Sequence, residues 1–231
     1  MIYVTSDLHG YPLADFQKLL RGADFSDEDE LIILGDVIDR GEESVALLMW
    51  ALGTKNVRML LGNHEDMMLQ CRFAYMPPFR EGNAYEEVQL NRWMRNGGGV
   101  TLEGLQKMAR WSAEATEEIV EKVQALKLYE VVYAGEQRFL LCHAGLGHYS
   151  PLRQMGEYTK EDLIWYRPGL HDRWDESTTV IFGHTPTGYY GEEYQGRMLR
   201  GNGWIDIDTG AAMGGHPMLL RLNDLVPFYV D

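Results

Sequence analysis

Leu31-Ile32-Ile33-Leu34-Gly35-Asp36-Val37-Ile38-Asp39-Arg40-Gly41 is an apolar run that breaks directly into a glycine and a carboxylate. Such a run reads as a buried strand that stops at a polar turn. The same arrangement stands upstream, where Ile2-Tyr3-Val4-Thr5 precedes Ser6-Asp7-Leu8-His9. It stands again downstream, where Val57 to Leu61 precede Gly62-Asn63-His64-Glu65. Between the runs, Leu13, Phe16, Leu19 and Leu20, then Val45, Leu48, Met49 and Leu52, fall at helical spacing. Strands repeating about every 30 residues with a helix between them are βαβ units, so a parallel βαβαβ sheet is predicted. In such sheets ligands bind beyond the carboxyl ends of the strands, which is where all three polar clusters lie.

Farther along the chain, residues from about 67 to 127 change to helix and loop and predict a helical insertion. Its stretch from Phe73 to Gly99 carries Tyr75, Arg80, Arg92, Trp93 and Arg95 between Pro77-Pro78 and the Gly97 to Gly99 run. Two roles are open for it, a wall against the substrate with Tyr75 and Arg80 facing in, or a cover over the core. Strands resume at 130–134, 139–142, 179–182, 204–207 and 218–222, and their alternation and short turns suggest a second, more antiparallel sheet. The expected fold class is α/β, a βαβαβ-derived sandwich of two mixed sheets flanked by helices, in a single domain over residues 1–231.

Composition narrows the partners. The 231 residues hold 21 Lys and Arg against 35 Asp and Glu, a formal charge of -14, with a pI near 4.9. A surface that negative repels phosphate backbones and anionic lipid, so neither nucleic acid nor membrane is expected as a partner, and any phosphate must meet a local positive source. The mean hydropathy is -0.31, and no apolar run approaches the roughly 18 residues of a membrane span. Cys71 and Cys142 form no CxxC pair, and no basic segment leads into an apolar stretch near the start, so the reducing cytoplasm is the expected compartment.

The usual phosphate loops are missing. No GxxxxGK[ST] or GxSxG occurs, and Gly201-Asn202-Gly203 has Asp206 where a dinucleotide fingerprint needs glycine. Present instead are oxygen and imidazole donors placed after strands: Asp7 and His9, Asp36, Asn63 with His64, His143 in Cys142-His143-Ala144-Gly145, and His184 in Gly183-His184-Thr185-Pro186. Singly, each has an ordinary explanation as a helix cap or a hydrogen-bonded core side chain. Jointly they converge at one sheet edge, and mixed oxygen and imidazole donors suit Mn, Fe or Zn. Two such ions can clamp the attacking and leaving oxygens of a phosphate ester.

The ordered motifs from Asp7 to His184 resemble the metal-dependent phosphoprotein phosphatase family within the metallophosphoesterases, above all its compact bacterial and phage-type serine/threonine protein phosphatases. Arg92 to Gly98, Leu163 to Arg167 and Ile207 to Ala211 look like the same branch, so the resemblance spans nearly the whole chain. It implies one divalent ion on Asp7, His9 and Asp36 and a second on Asp36, Asn63, His143 and His184, with Asp36 as the bridge and manganese the expected metal. It also implies a metal-activated hydroxide as nucleophile, His64 as leaving-group acid oriented by Asp39, and Arg40 and Arg167 as the phosphate-binding arginines. The motifs depart from the family at Ser6, where glycine is common, and at His216-Pro217, which leaves His216 without an expected role. His148 and His171 match no motif and are expected in loops.

The leading expectation for function is therefore a protein serine/threonine phosphatase acting on phosphorylated protein or peptide. The alternative is a dinucleoside polyphosphate hydrolase of the diadenosine tetraphosphatase kind, with the same fold and metal site. In that branch the aspartate of the Asp39-Arg40-Gly41 triplet is often missing, so Asp39 favours the first expectation. A catalytically dead binding protein would have lost a ligand or His64, and none is lost.

Overall fold

The computed structural model describes residues 1–175 and 177–230. β1 (Ile2–Thr5), β2 (Glu30–Ile33) and β3 (Val57–Met59) run parallel, with Val4 opposite Ile32 and Ile32 opposite Arg58, and α1 (Leu13–Gly22) and α2 (Ser44–Gly53) cross between them. α1 buries Phe16, Leu19 and Leu20, the single stripe that its 3.6-residue period dictates. α3 (Asn63–Gln70) leads from β3 into the insertion, which continues as α4 (Ala84–Arg95), α5 (Gly99–Trp111) and α6 (Ala113–Gln124). α4 starts where the Asn83 side chain accepts the N–H groups of Tyr85 and Glu86, and α6 where Ser112 accepts that of Ala115.

β4 (Tyr129–Ala134) and β5 (Gln137–Cys142) form an antiparallel hairpin, after which α7 (Lys160–Ile164) leads to β6 (Thr179–Phe182), β7 (Leu199–Arg200) and β8 (Trp204–Asp206). Their order is β4-β5-β6-β8-β7, with β5, β6 and β8 parallel. The second sheet is thus mixed with a parallel centre, not mainly antiparallel as its short turns suggested.

β9 (Met218–Arg221) corrects another expectation. It leaves the second sheet and pairs antiparallel with β1, Val4 opposite Leu220, and β10 (Val226–Tyr229) extends that sheet to the order β10-β9-β1-β2-β3. Both faces of β9 are buried, Leu219 on the helix side and Met218 and Leu220 between the sheets. A strand with no polar face gives no sequence signal of which sheet it joins. β10 was not anticipated; its Pro227 is tolerated because the strand lies at the edge.

Between the sheets, Val4, Ile32, Leu34, Phe139, Leu141, Ile181, Ile205 and Leu220 form one buried layer. Each such side chain contributes about 1.5–3 kcal/mol relative to exposure, which fixes the two sheets rigidly against each other. The loops after β1, β2, β3, β6 and β8 meet at one end of this sandwich.

Candidate active site

Those loops surround a cavity of about 760 Å³ lined by Asp7, His9, Asp36, Asn63, His64 and His184, with Arg40, Arg167 and Asp208 around them. His143 is fully buried beside them, its Nε2 3.3 Å from Asp36 Oδ2. All six expected metal donors and the four expected catalytic residues are therefore assembled at one place. Asp7, His9, Asp36, Asp39, Arg40 and His184 all adopt positive φ, between 45° and 74°. Left-handed backbone at non-glycine residues is strained and concentrates where geometry serves function.

Asp36 Oδ2 is the centre of the cluster, 3.7 Å from His9 Nε2, 3.3 Å from His143 Nε2 and 3.8 Å from His64 Nε2. Its other oxygen accepts the His64 backbone N–H at 3.0 Å, which fixes the carboxylate plane. Gly62 lets β3 turn directly beneath it, because a Cβ there would collide with Asp36 Oδ1. Asp7 Oδ2 accepts the Ser6 hydroxyl at 2.5 Å and the His184 N–H at 2.8 Å, leaving Oδ1 turned 3.8 Å from His9 Nε2. Ser6 thus orients Asp7 where the family commonly has glycine.

The tautomers are set from behind. His9 Nδ1 donates to Ile38 O at 3.0 Å and His143 Nδ1 to Leu34 O at 2.8 Å, so each, when neutral, presents its Nε2 lone pair to the cluster. The terminal amide atom of Asn63 lies 2.9 Å from His143 Nε2, 2.9 Å from His184 Nδ1 and 3.3 Å from Asp36 Oδ2, all acceptors. The amide NH2 turned toward these atoms could donate to them, and a cation bound among them would instead be met by the carbonyl oxygen of Asn63 together with the deprotonated donors.

Charge points the same way. Burial penalises the Asp36 carboxylate, but His143 and His64 outweigh it and hold Asp36 well below the usual range. His143 is pushed up to about 9 despite burial, mainly by Asp36. Burial drives His9 down to about 3, and burial with His143 nearby keeps His184 neutral. Asp208 and Asp206 are pushed well above their usual values by burial, then by Asp7 and Asp208 respectively. So many buried carboxylates call for positive charge, and the donor set fits two divalent cations.

His64 reaches Asp36 and His9 closely enough to resemble a ligand, yet its Nδ1 donates to Asp39 Oδ2 at 2.6 Å and its Nε2 faces the Arg40 guanidinium at 3.2 Å. Burial lowers its proton affinity, while Asp36 and Asp39 raise it and prevail. Arg40 also reaches His9 Nε2 at 3.1 Å, and Arg167, which lines the same cavity, donates to His184 O at 3.3 Å.

The expected substrate wall moves. Tyr75 is fully buried, donating to Met68 O and packing edge-on against Trp93, while Arg80 lies outside and pairs with Glu86. Neither lines the cavity; Trp165, Pro186, Tyr189 and Met213 do. Of the aromatics in 73–99, Tyr75 and Trp93 are buried, whereas Phe79 and Tyr85 are exposed. His148 and His171 are exposed loop residues as expected, and His216 lies at the surface against Tyr11. Sequence reasoning missed Glu65 and Asp208, each of which was seen only as part of a motif.

The description "Calcineurin-like phosphoesterase" matches residues 1–216. A symmetrical bis(5'-nucleosyl)-tetraphosphatase of Acidovorax sp. (strain JS42) is 28% identical, over 93% of this chain and 89% of its own length. Serine/threonine-protein phosphatase 1 of Salmonella typhimurium (strain LT2) is 26% identical, over 96% and 92% respectively. Among solved structures, a putative diadenosine tetraphosphatase superposes with a TM-score of 0.63 at 17% identity, covering 98% of this chain and 90% of that one. Relatives of both named activities align over almost the full length, so the comparisons separate neither. What they share with the two-sheet sandwich and its clustered Asp, Asn and His donors is the family, and this chain belongs to the calcineurin-like phosphoesterases.

Proposed function

We propose that the chain is a metal-dependent phosphomonoester hydrolase acting on phosphoserine or phosphothreonine in proteins. One divalent ion would be held by Asp7, His9 and Asp36 and the other by Asp36, Asn63, His143 and His184, with manganese the expected metal. When bound, the ions supply an activated water and neutralise the phosphoryl oxygens. Arg40 and Arg167, both lining the cavity, grip those oxygens. The P–O bond to the side-chain oxygen breaks as water attacks phosphorus, and the leaving oxygen takes a proton from His64 Nε2.

The observation that carries this reading is the His64–Asp39 pair at 2.6 Å, with His64 Nε2 turned into the cavity. A serine alkoxide is a poor leaving group and needs that proton, whereas a nucleotide phosphate leaves as a stable anion without one. A second reading, dinucleoside polyphosphate hydrolysis, is favoured by the exposed Tyr189 and by Trp165 in the cavity lining, planar rings on which a base can stack, with the exposed Met213 adding apolar surface beside them.

Manganese-loaded protein assayed side by side on phosphoserine peptide and diadenosine tetraphosphate decides between them. The first reading expects peptide turnover that collapses in His64→Asn. Faster cleavage of the tetraphosphate, indifferent to that substitution, would establish the second.

A further inference from the structure

Asp39 and Arg40 are consecutive residues in left-handed backbone, with φ of 74° and 69°. Aspartate visits that region more readily than most residues but arginine does not, so for the consecutive pair the surroundings must help to impose it. The groups that do so come from one short stretch of the insertion. Thr101 Oγ1 accepts the Asp39 N–H at 3.0 Å and donates to Asp39 Oδ1 at 2.6 Å. Trp93 Nε1 donates to Asp39 Oδ2 at 2.8 Å, the oxygen that also receives His64 Nδ1. Gly97 O accepts the Arg40 N–H at 3.0 Å. Asp39, Trp93 and Thr101 are fully buried, and among the described residues every side-chain partner of Asp39 except His64 belongs to the insertion.

We infer that Trp93 and Thr101 are positioning residues for the leaving-group acid: the insertion braces Asp39, and Asp39 aims His64. This rests on the reading of His64 as that acid. The side chains suit the task. Thr101 both donates to and accepts from a single residue, which a hydroxyl can do and a methyl cannot. The indole N–H is donor only, so it meets a carboxylate oxygen that must stay unprotonated toward it. Gly98 completes the fit, because a Cβ there would stand 2.5 Å from Trp93 Nε1. Asp39, which aims the acid, therefore depends on contacts 54 and 62 residues distant from it in sequence.

A merely structural role would slow all substrates alike, whereas a positioning role slows those that need the proton. The test compares wild type with His64→Asn, Thr101→Val, Thr101→Ser and Trp93→Phe on phosphoserine peptide and p-nitrophenyl phosphate. Metal content is measured in each, and the His64 Nδ1–H proton resonance is followed in zinc-loaded protein. Thr101→Val is near-isosteric, so it reports even if Trp93→Phe fails to fold. A misplaced catalytic group costs roughly 10- to 100-fold, so Thr101→Val is expected to lose that on phosphoserine and to lose distinctly less on the nitrophenyl ester. Thr101→Ser should restore it, and the resonance should move in Thr101→Val with metal content unchanged. Equal loss by His64→Asn on both substrates would remove the acid role itself. If His64→Asn is selective while Thr101→Val shows neither selectivity nor a moved resonance, the brace is overturned.

Discussion

Glu65 holds Asp36 by its backbone: the buried Glu65 carboxylate accepts the Asp36 N–H at 2.8 Å. The same carboxylate takes the N–H of Val37 at 2.9 Å and of Gly62 at 3.1 Å, so it ties the loop after β2 to the loop after β3. Replacing it by glutamine turns one acceptor into a donor facing an N–H. Leaving such groups unpaired costs about 1–3 kcal/mol. Glu65→Gln should therefore lower the melting temperature by about 2–4 °C per kcal/mol lost and weaken metal retention. A variant with unchanged melting and full metal content would show that Glu65 does not set the geometry of Asp36.

Asp36 is the only carboxylate shared by both proposed ions. Asp36→Asn should lose metal from both positions, while Asp7→Asn should deplete one and spare the other. His148→Ala, at an exposed side chain outside the cavity, should deplete neither. Elemental analysis of the three purified variants gives the stoichiometry. Full retention of both ions in Asp36→Asn would sink the bridging role.

Much of this site was legible in the sequence because each donor follows a strand that announces itself. Ile2–Thr5 and Thr179–Phe182 were placed to the residue, and Asp7 and His184 came with them. The failures share a physical cause. Met218, Leu219 and Leu220 make both faces of the last core strand apolar, so alternation could not assign it to a sheet. Tyr75 sits in a Pro-flanked loop that reads as surface, yet the loop folds under and buries the ring. Trp93 makes one hydrogen bond to Asp39 and Thr101 makes two, all across the fold, and local periodicity carries no trace of such pairs.

Asp162 supports the wall of the cavity through α7, which leads into Trp165 and Arg167. Its carboxylate accepts from Arg153 at 2.6 Å, His148 Nδ1 at 2.8 Å, and the N–H and hydroxyl of Thr159, each at 2.9 Å. Burial raises its proton affinity, but His148, Thr159 and Arg153 overcome this and hold the carboxyl far below its usual value. A group depressed on folding stabilises above its unfolded value of 3.8 and loses that contribution as pH falls below it. Wild type should exceed Asp162→Asn by about 2 kcal/mol at neutral pH. In urea melts of metal-free protein the gap should stay level down to about pH 5 and close on further acidification. A gap independent of pH would mean the bonds survive protonation.

Arg167 separates phosphate binding from wall packing. Its guanidinium lines the cavity, lies 5.9 Å from the Tyr189 ring centroid and donates to His184 O, so it has two structural contacts that do not involve a phosphate. The ring contact is exposed and worth about 0.5–1 kcal/mol. A charge-assisted hydrogen bond to a phosphoryl oxygen is worth about 1.5–3 kcal/mol, so the two roles differ in magnitude. If Arg167 grips phosphate, Arg167→Ala should raise the inhibition constant for inorganic phosphate or vanadate by roughly 10- to 100-fold, the same energy expressed as binding. Metal content should be unchanged, because the residue offers no ligand atom. Arg167→Lys should recover part of the affinity, since it keeps the charge and loses the planar fork. Unchanged inhibition in Arg167→Ala, accompanied only by a small fall in melting temperature, would assign Arg167 to the wall and leave Arg40 as the single phosphate-binding arginine.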